Sequence, residues 1–119
     1  MEFTFEKLEV WHKARILNKE IYILINELPN SERYALADQL RRASISIPSN
    51  IAEGSARSSE KEKVRFFEIA YGSLMEAYNQ LLLASDLGYI DIQKVNTLKP
   101  KFEEIAKMIS GLKKSLLMS

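Results

Sequence analysis

Glu9-Val10-Trp11-His12 is the arrangement in this 119-residue chain with the plainest chemical potential. Glu and His three residues apart share one helix face, and a helical bundle that carries the pair twice, with two further inward glutamates, holds a pair of metal ions. The count fails here, because the chain has one His and no Cys. The expected reading is a surface His beside a surface Glu, with no metal site and no thiolate chemistry. A single His also removes a nucleophile–His–acid triad, apart from one shared between subunits. Ser44, Ser46, Ser49, Ser58 and Ser59 read as hydroxyls that bond or cap helix backbone rather than as nucleophiles. Gly54 stands alone in Glu53-Gly54-Ser55-Ala56-Arg57, and Gly72 and Gly111 fall inside helical patterns, so no glycine-rich phosphate loop is present. The expectation is a non-enzymatic protein with no cofactor.

The basic residues offer a different chemistry. Between Arg41 and Arg65 stand Arg41, Arg42, Arg57, Lys61, Lys63 and Arg65, six against Glu53, Glu60 and Glu62. Arginine forks hold phosphates bidentately and serine hydroxyls add to them, so Arg41, Arg42, Arg57, Lys61 and Arg65 are candidate contacts to RNA or DNA. The competing reading is a solvated, salt-bridged face. Over the whole chain 17 Lys+Arg meet 16 Asp+Glu, which excludes a globally basic nucleic-acid binder but not a local patch.

Four helical segments must position these groups. Val10, Ala14, Leu17, Ile21, Leu24 and Leu28 alternate steps of four and three, a heptad seam over about residues 6–28 that Pro29 ends. Leu36, Leu40, Ala43, Ile47 and Ile51 carry a second stripe, beginning near Ser31 or Glu32 and ended by Gly54. Pro48 sits inside that stripe without breaking its phase, which predicts one long helix kinked near Ser44–Pro48, or a break into two shorter ones. Ser59-x-x-Glu62 is a capping box that opens a third helix with Phe67, Ala70, Leu74, Ala77, Leu81 and Ala84 on its seam. Gly72-Ser73 within it is expected to admit a neighbouring helix closely, and Gly88 suits a left-handed C-cap. Asp91 caps a fourth helix with Val95, Leu98, Phe102, Ile105, Ile109, Leu112 and Leu116, and Pro100 marks either a kink or the true start. Short connections make an all-α, up-down-up-down antiparallel four-helix bundle, a single domain over residues 1–119.

Apolar residues exceed what one stripe per helix requires. Helix 1 carries Tyr22 and Ile23 beside its seam, with Trp11 and Ile16 also off it, and helix 3 adds Leu82. Contiguous exposed apolar patches are rare on monomers, so Trp11, Ile16, Tyr22, Ile23 and Leu82 are the expected interface of a homo-oligomer. The start Met1-Glu2-Phe3-Thr4-Phe5-Glu6 lacks the pattern of a signal peptide, and nowhere do about 18 apolar residues run together, so a cytoplasmic protein without membrane spans is expected.

The run Arg41-Arg42-Ala43-Ser44-Ile45-Ser46-Ile47-Pro48-Ser49-Asn50-Ile51-Ala52-Glu53-Gly54 closely resembles the signature of the small four-helix-bundle proteins encoded by intervening sequences in bacterial 23S ribosomal RNA genes. Ser46, Pro48, Ser49, Asn50, Glu53 and Gly54 are its most distinctive positions. The resemblance extends to Phe5-Glu6-Lys7-Leu8-Glu9-Val10-Trp11, Arg57, Gly72-Ser73-Leu74-Met75-Glu76 and Asp86-Leu87-Gly88-Tyr89-Ile90. It implies a homo-oligomer, a pentameric ring. The chain also looks like the accessory bundle protein of diversity-generating retroelements, which implies nucleic-acid binding through Arg41, Arg42 and Arg57. His12 stands where glutamine is usual and Tyr78 where an acidic residue is common, so the electrostatics of relatives do not carry over directly. Two functions are expected in turn: an RNA- or DNA-binding module, or an adaptor whose ring docks a partner protein. Asn50 and Glu53 either satisfy the backbone around Pro48 or touch the ligand.

Overall fold

The structure, a computed structural model, describes residues 1–118. Its helices are α1 (Glu9–Ile25), α2 (Leu36–Ser55), α3 (Glu60–Asp86) and α4 (Ile92–Leu117), with short 3-10 turns at Thr4–Lys7 and Asn30–Glu32 and no strand among the described residues. The seams read from spacing are buried along most of their length, with Leu28, Leu36, Leu112 and Leu116 only half-buried at their ends. Val10, Ala14, Leu17, Ile21 and Leu24 of α1 join Leu40, Ala43, Ile47 and Ile51 of α2, Phe67 to Ala84 of α3, and Val95 to Ile109 of α4 in one core cluster. Each large side chain so buried contributes roughly 1.5–3 kcal/mol, which is what holds helices that have little stability alone.

Helix neighbours follow the order α1, α2, α3, α4 and back to α1, with the broadest packing between α2 and α3 and the least between α4 and α1. Ser46 meets Ser73 at 2.7 Å and Gln39 meets Gln80 at 3.4 Å, so numbers rise along α2 as they fall along α3 and the pair is antiparallel. The same holds for α1 and α4, which are tied by a ladder of three ion pairs. Lys13 lies 2.7 Å from Glu104, Lys94 lies 2.9 Å from Glu27, and Lys101 pairs with Glu20 between them. Exposed pairs of this kind each contribute about 0–1 kcal/mol, so the ladder aligns the two helices more than it stabilises them.

The helix ends show local chemistry at work. Ser59 Oγ accepts from the Glu62 amide at 3.1 Å, Asp91 accepts from the Gln93 amide at 2.8 Å, and Gly88 takes φ 81° after α3. Two starts differ from the spacing. α1 begins at Glu9 rather than near Glu6, because Phe5 packs its ring edge-on against Trp11 (4.8 Å between centroids) and folds the preceding residues into a 3-10 turn. α2 begins at Leu36 rather than near Ser31. There Glu32 accepts from the Leu36 amide (3.3 Å) and from the Tyr89 hydroxyl (3.2 Å), which holds residues 30–32 in a separate turn. α2 runs unbroken through Pro48, and α4 starts at Ile92 and passes through Pro100.

Within Gly72-Ser73 it is the serine that meets a neighbouring helix, buried and 2.7 Å from Ser46 of α2, whereas Gly72 is exposed and a Cβ there would meet nothing within 4 Å. Gly54, inside α2 rather than beyond its end, is the close approach: a Cβ would lie 2.8 Å from Phe67 Cε1 and 3.0 Å from Phe66 Cβ. Gly54 continues the stripe of Ile47 and Ile51, and that core position was the signal in the sequence.

Candidate nucleic-acid interface

The candidate cations divide between the two ends of α2. At about 1.5 Å of rise per residue, Arg41 and Arg57 stand roughly 24 Å apart along the bundle. At the first end, Arg41 is half-buried as a residue and its Nη2 donates to the Arg33 carbonyl at 2.9 Å, an exposed bond that closes the α1–α2 connection. Arg42 is exposed and bonded to Asp38 one turn back, at 3.2 Å. At the second end, Arg57 and Arg65 converge on the Phe66 ring, their guanidinium carbons 4.5 and 4.9 Å from its centroid. Arg65 also donates to Glu62 at 3.2 Å. Lys61 is exposed beside them, while Lys63 donates to the Ser55 carbonyl at 2.9 Å and caps the end of α2.

The signature run divides just as clearly into inward and outward residues. Ser44 is fully buried and donates to Asn18 on α1 at 2.7 Å. Asn50 Nδ2 donates to the Ser46 carbonyl and hydroxyl, both at 2.8 Å, and Ser46 in turn bonds Ser73 on α3. Asn50 therefore bonds the backbone one turn before it and supports the α2–α3 contact. Asn50→Ala should lower stability by about 1 kcal/mol in thermal or chemical denaturation, since it removes one partner of a half-buried network. Ser49 and Glu53 face solvent on the outer side of α2, in line with Arg42 and Ile45.

The expected interface residues fall on two flanks of α1 and on α3. Ile16 and Ile23, seven residues apart, are 54% and 59% exposed and lie toward α4, on the side that carries Lys13 and Glu20. Trp11 and Tyr22 are half-buried against the core on the α2 side, with Arg15 over the Trp11 ring at 5.3 Å, and Leu82 is half-buried on α3. A separate groove of about 340 Å³ runs between α3 and α4, lined by Tyr71, Met75, Tyr78, Phe102 and Ala106 and edged by Lys99 and Lys107.

The catalytic look-alike is occupied with structure. His12 Nε2 lies 2.6 Å from the Glu6 carbonyl, which can only accept, so the ring donates to the N-terminal turn, while Glu9 pairs with Lys13. Among the described residues no three or more His, Asp or Glu side chains are grouped to hold a metal ion. Titration is displaced where packing is structural. The hydrogen bond to Glu104 raises Lys13 above the usual lysine value, and partial burial, then Glu32, raises the Tyr89 phenol. No helix among the described residues is long and apolar enough to cross a membrane.

Two residues escaped the reading by charge runs. Arg33 and Tyr34, in the connection between α1 and α2, are exposed and stack on each other, with the guanidinium carbon 5.4 Å from the ring centroid. Their signal in the sequence was an aromatic beside an arginine in a turn, a pattern that a search for clusters of charge passes over. No curated protein matches the chain. Helices α1 to α3, most of α4, the arginines at both ends of α2 and the run from Arg41 to Gly54 lie within residues 6–111, which match the family model of the 23S rRNA-intervening sequence protein, and the chain belongs to that family.

Proposed function

We propose that the chain is a non-enzymatic, self-associating cytoplasmic bundle that binds RNA or DNA through phosphate contacts at the two ends of α2. The observation that carries this reading is the pattern of ion pairing. Among the described residues no carboxylate pairs with Arg33, Arg41 or Arg57, although acidic residues stand close in sequence to each. Around Arg33 and Arg41 those acids are engaged elsewhere, Glu27 by Lys94, Glu32 by the Leu36 amide and Tyr89, and Asp38 by Arg42; near Arg57, Glu62 pairs with Arg65, and Glu53 is exposed and does not pair with Arg57. Guanidiniums held by backbone or by a ring keep donors free in a fixed geometry, the state that bidentate phosphate contacts require. Repetition around a ring of subunits multiplies the modest excess carried by each chain.

Self-association is supported by Ile16 and Ile23, which share one exposed face of α1. Light scattering of the purified protein should give a mass several times 13.7 kDa at micromolar concentration, a pentamer being expected. A clean monomer would remove both the ring and the multiplication of charge. A second reading, an adaptor for a partner protein, is favoured by the apolar groove of Tyr71, Met75 and Tyr78 between α3 and α4. Capture of a partner that survives nuclease treatment, together with no retention of RNA or DNA at low salt, would select it over nucleic-acid binding.

A further inference from the structure

We infer that Arg33, Tyr34 and Arg41 form a site for an unpaired nucleotide, the base stacked on the Tyr34 ring and its phosphate held by the two guanidiniums. This deepens the nucleic-acid reading and rests on it. Tyr34 is 85% exposed, and its two sequence neighbours are exposed as well, so the ring covers little of the core. Arg33 lies over one ring face at 5.4 Å, which leaves the other face for a flat partner. Arg41 spends one nitrogen on the Arg33 carbonyl at 2.9 Å, so the two arginines are positioned through each other and the remaining guanidinium N–H groups of Arg41 stay available. Beside them is a concavity of about 210 Å³, lined by Asn26, Asn30, Arg33 and Arg41, with amide donors as well as charge. Of the nearby acids, Glu27 pairs with Lys94, Asp38 pairs with Arg42, and Glu32 accepts from the Leu36 amide and the Tyr89 hydroxyl, so none forms an ion pair with Arg33 or Arg41.

An aromatic face beside arginine donors recognises a base with its phosphate, and only an unpaired base exposes the face that stacks. A duplex would offer phosphates to Arg33 and Arg41 and nothing to Tyr34. The site therefore favours loops and single strands over paired nucleic acid.

The test uses three fluorescently labelled probes of equal length: a single-stranded RNA, the same strand paired with its complement, and an abasic strand with the same sugar-phosphate backbone. Wild-type protein should bind the base-bearing single strand most tightly. Tyr34→Ala should weaken that strand by about tenfold and so erase its advantage over the abasic one, the usual effect of losing one stacked base. Tyr34→Phe should restore the advantage, because the ring face rather than the hydroxyl is used. Melting curves that coincide with wild type verify that an exposed ring was removed without loss of fold. Equal binding of the single strand by wild type and Tyr34→Ala, or failure of Tyr34→Phe to restore it, overturns the site while leaving phosphate binding in place. Absence of binding to all three probes by wild type overturns both.

Discussion

Gly54→Val should destabilise the fold by about 3 kcal/mol, the upper part of the usual cost of overpacking a core. The first added carbon would already stand 2.8 Å from Phe67 Cε1, 3.0 Å from Phe67 Cδ1 and 3.0 Å from Phe66 Cβ. Phe67 is in the core and the Phe66 Cβ is fixed to the α3 backbone, so relief means moving one helix away from the other. The small gain in helix propensity of valine over glycine, a few tenths of a kcal/mol, does not offset this. Gly72→Ala should act with the opposite sign. Nothing lies within 4 Å of its Cβ position, so only the helix term of about 0.5–1 kcal/mol is felt, and stability should rise. Chemical denaturation of both variants checks the pair. A harmless Gly54→Val would mean that α2 and α3 do not approach as described, and the placement of Arg57 and Arg65 over Phe66 would fall with it.

That contact shows what the sequence can and cannot convey. The apolar period of α4, from Val95 to Ile109, specified a helix and its buried face together, because each residue of the stripe meets the core. Gly88, Ser59 and Asp91 were legible because a cap is a local matter of a few residues. The starts of α1 and α2 were not, since each is decided by a contact from elsewhere: Phe5 on Trp11, and Tyr89 of the α3–α4 connection on Glu32. Gly72 and Gly54 occupy opposite kinds of face, exposed and buried, and spacing alone marks Gly54 only as the end of its helix. For the candidate site, the sequence supplied the arginines but not their engagement. Arg42 and Arg65 are matched by carboxylates one turn away, whereas Arg41 and Arg57 are held by a carbonyl and a ring. Helical spacing shows the first kind of pairing and is blind to the second. Exposed Tyr34 carried no periodicity at all, being in a connection.

Reversing charge at both ends of α2, as Arg33→Glu with Arg57→Glu, should remove nucleic-acid binding at near-physiological salt, a loss of about a hundredfold or more. Both side chains are exposed, so the fold should be retained. Each substitution deletes a phosphate contact and adds a repulsion, and the two residues flank opposite ends of α2, which at about 1.5 Å per residue is roughly 30 Å long, so their effects should add. Arg42→Glu should cost less, because Arg42 is already matched by Asp38 at 3.2 Å. This order distinguishes the arginines by their partners in the fold rather than by their presence in a basic run. It would fail if Arg42→Glu proved the more damaging change.

The central claim, that the unpaired arginines hold phosphates, is tested most directly by the salt dependence of binding to a single-stranded RNA. With Arg33, Arg41 and Arg57 each neutralising a phosphate, log Kobs should fall linearly with log salt at a slope of about −2 per chain, and Arg57→Gln should make it shallower by about 0.7. A slope near zero, the same slope for wild type and Arg57→Gln, or no binding at about 50 mM salt would contradict it.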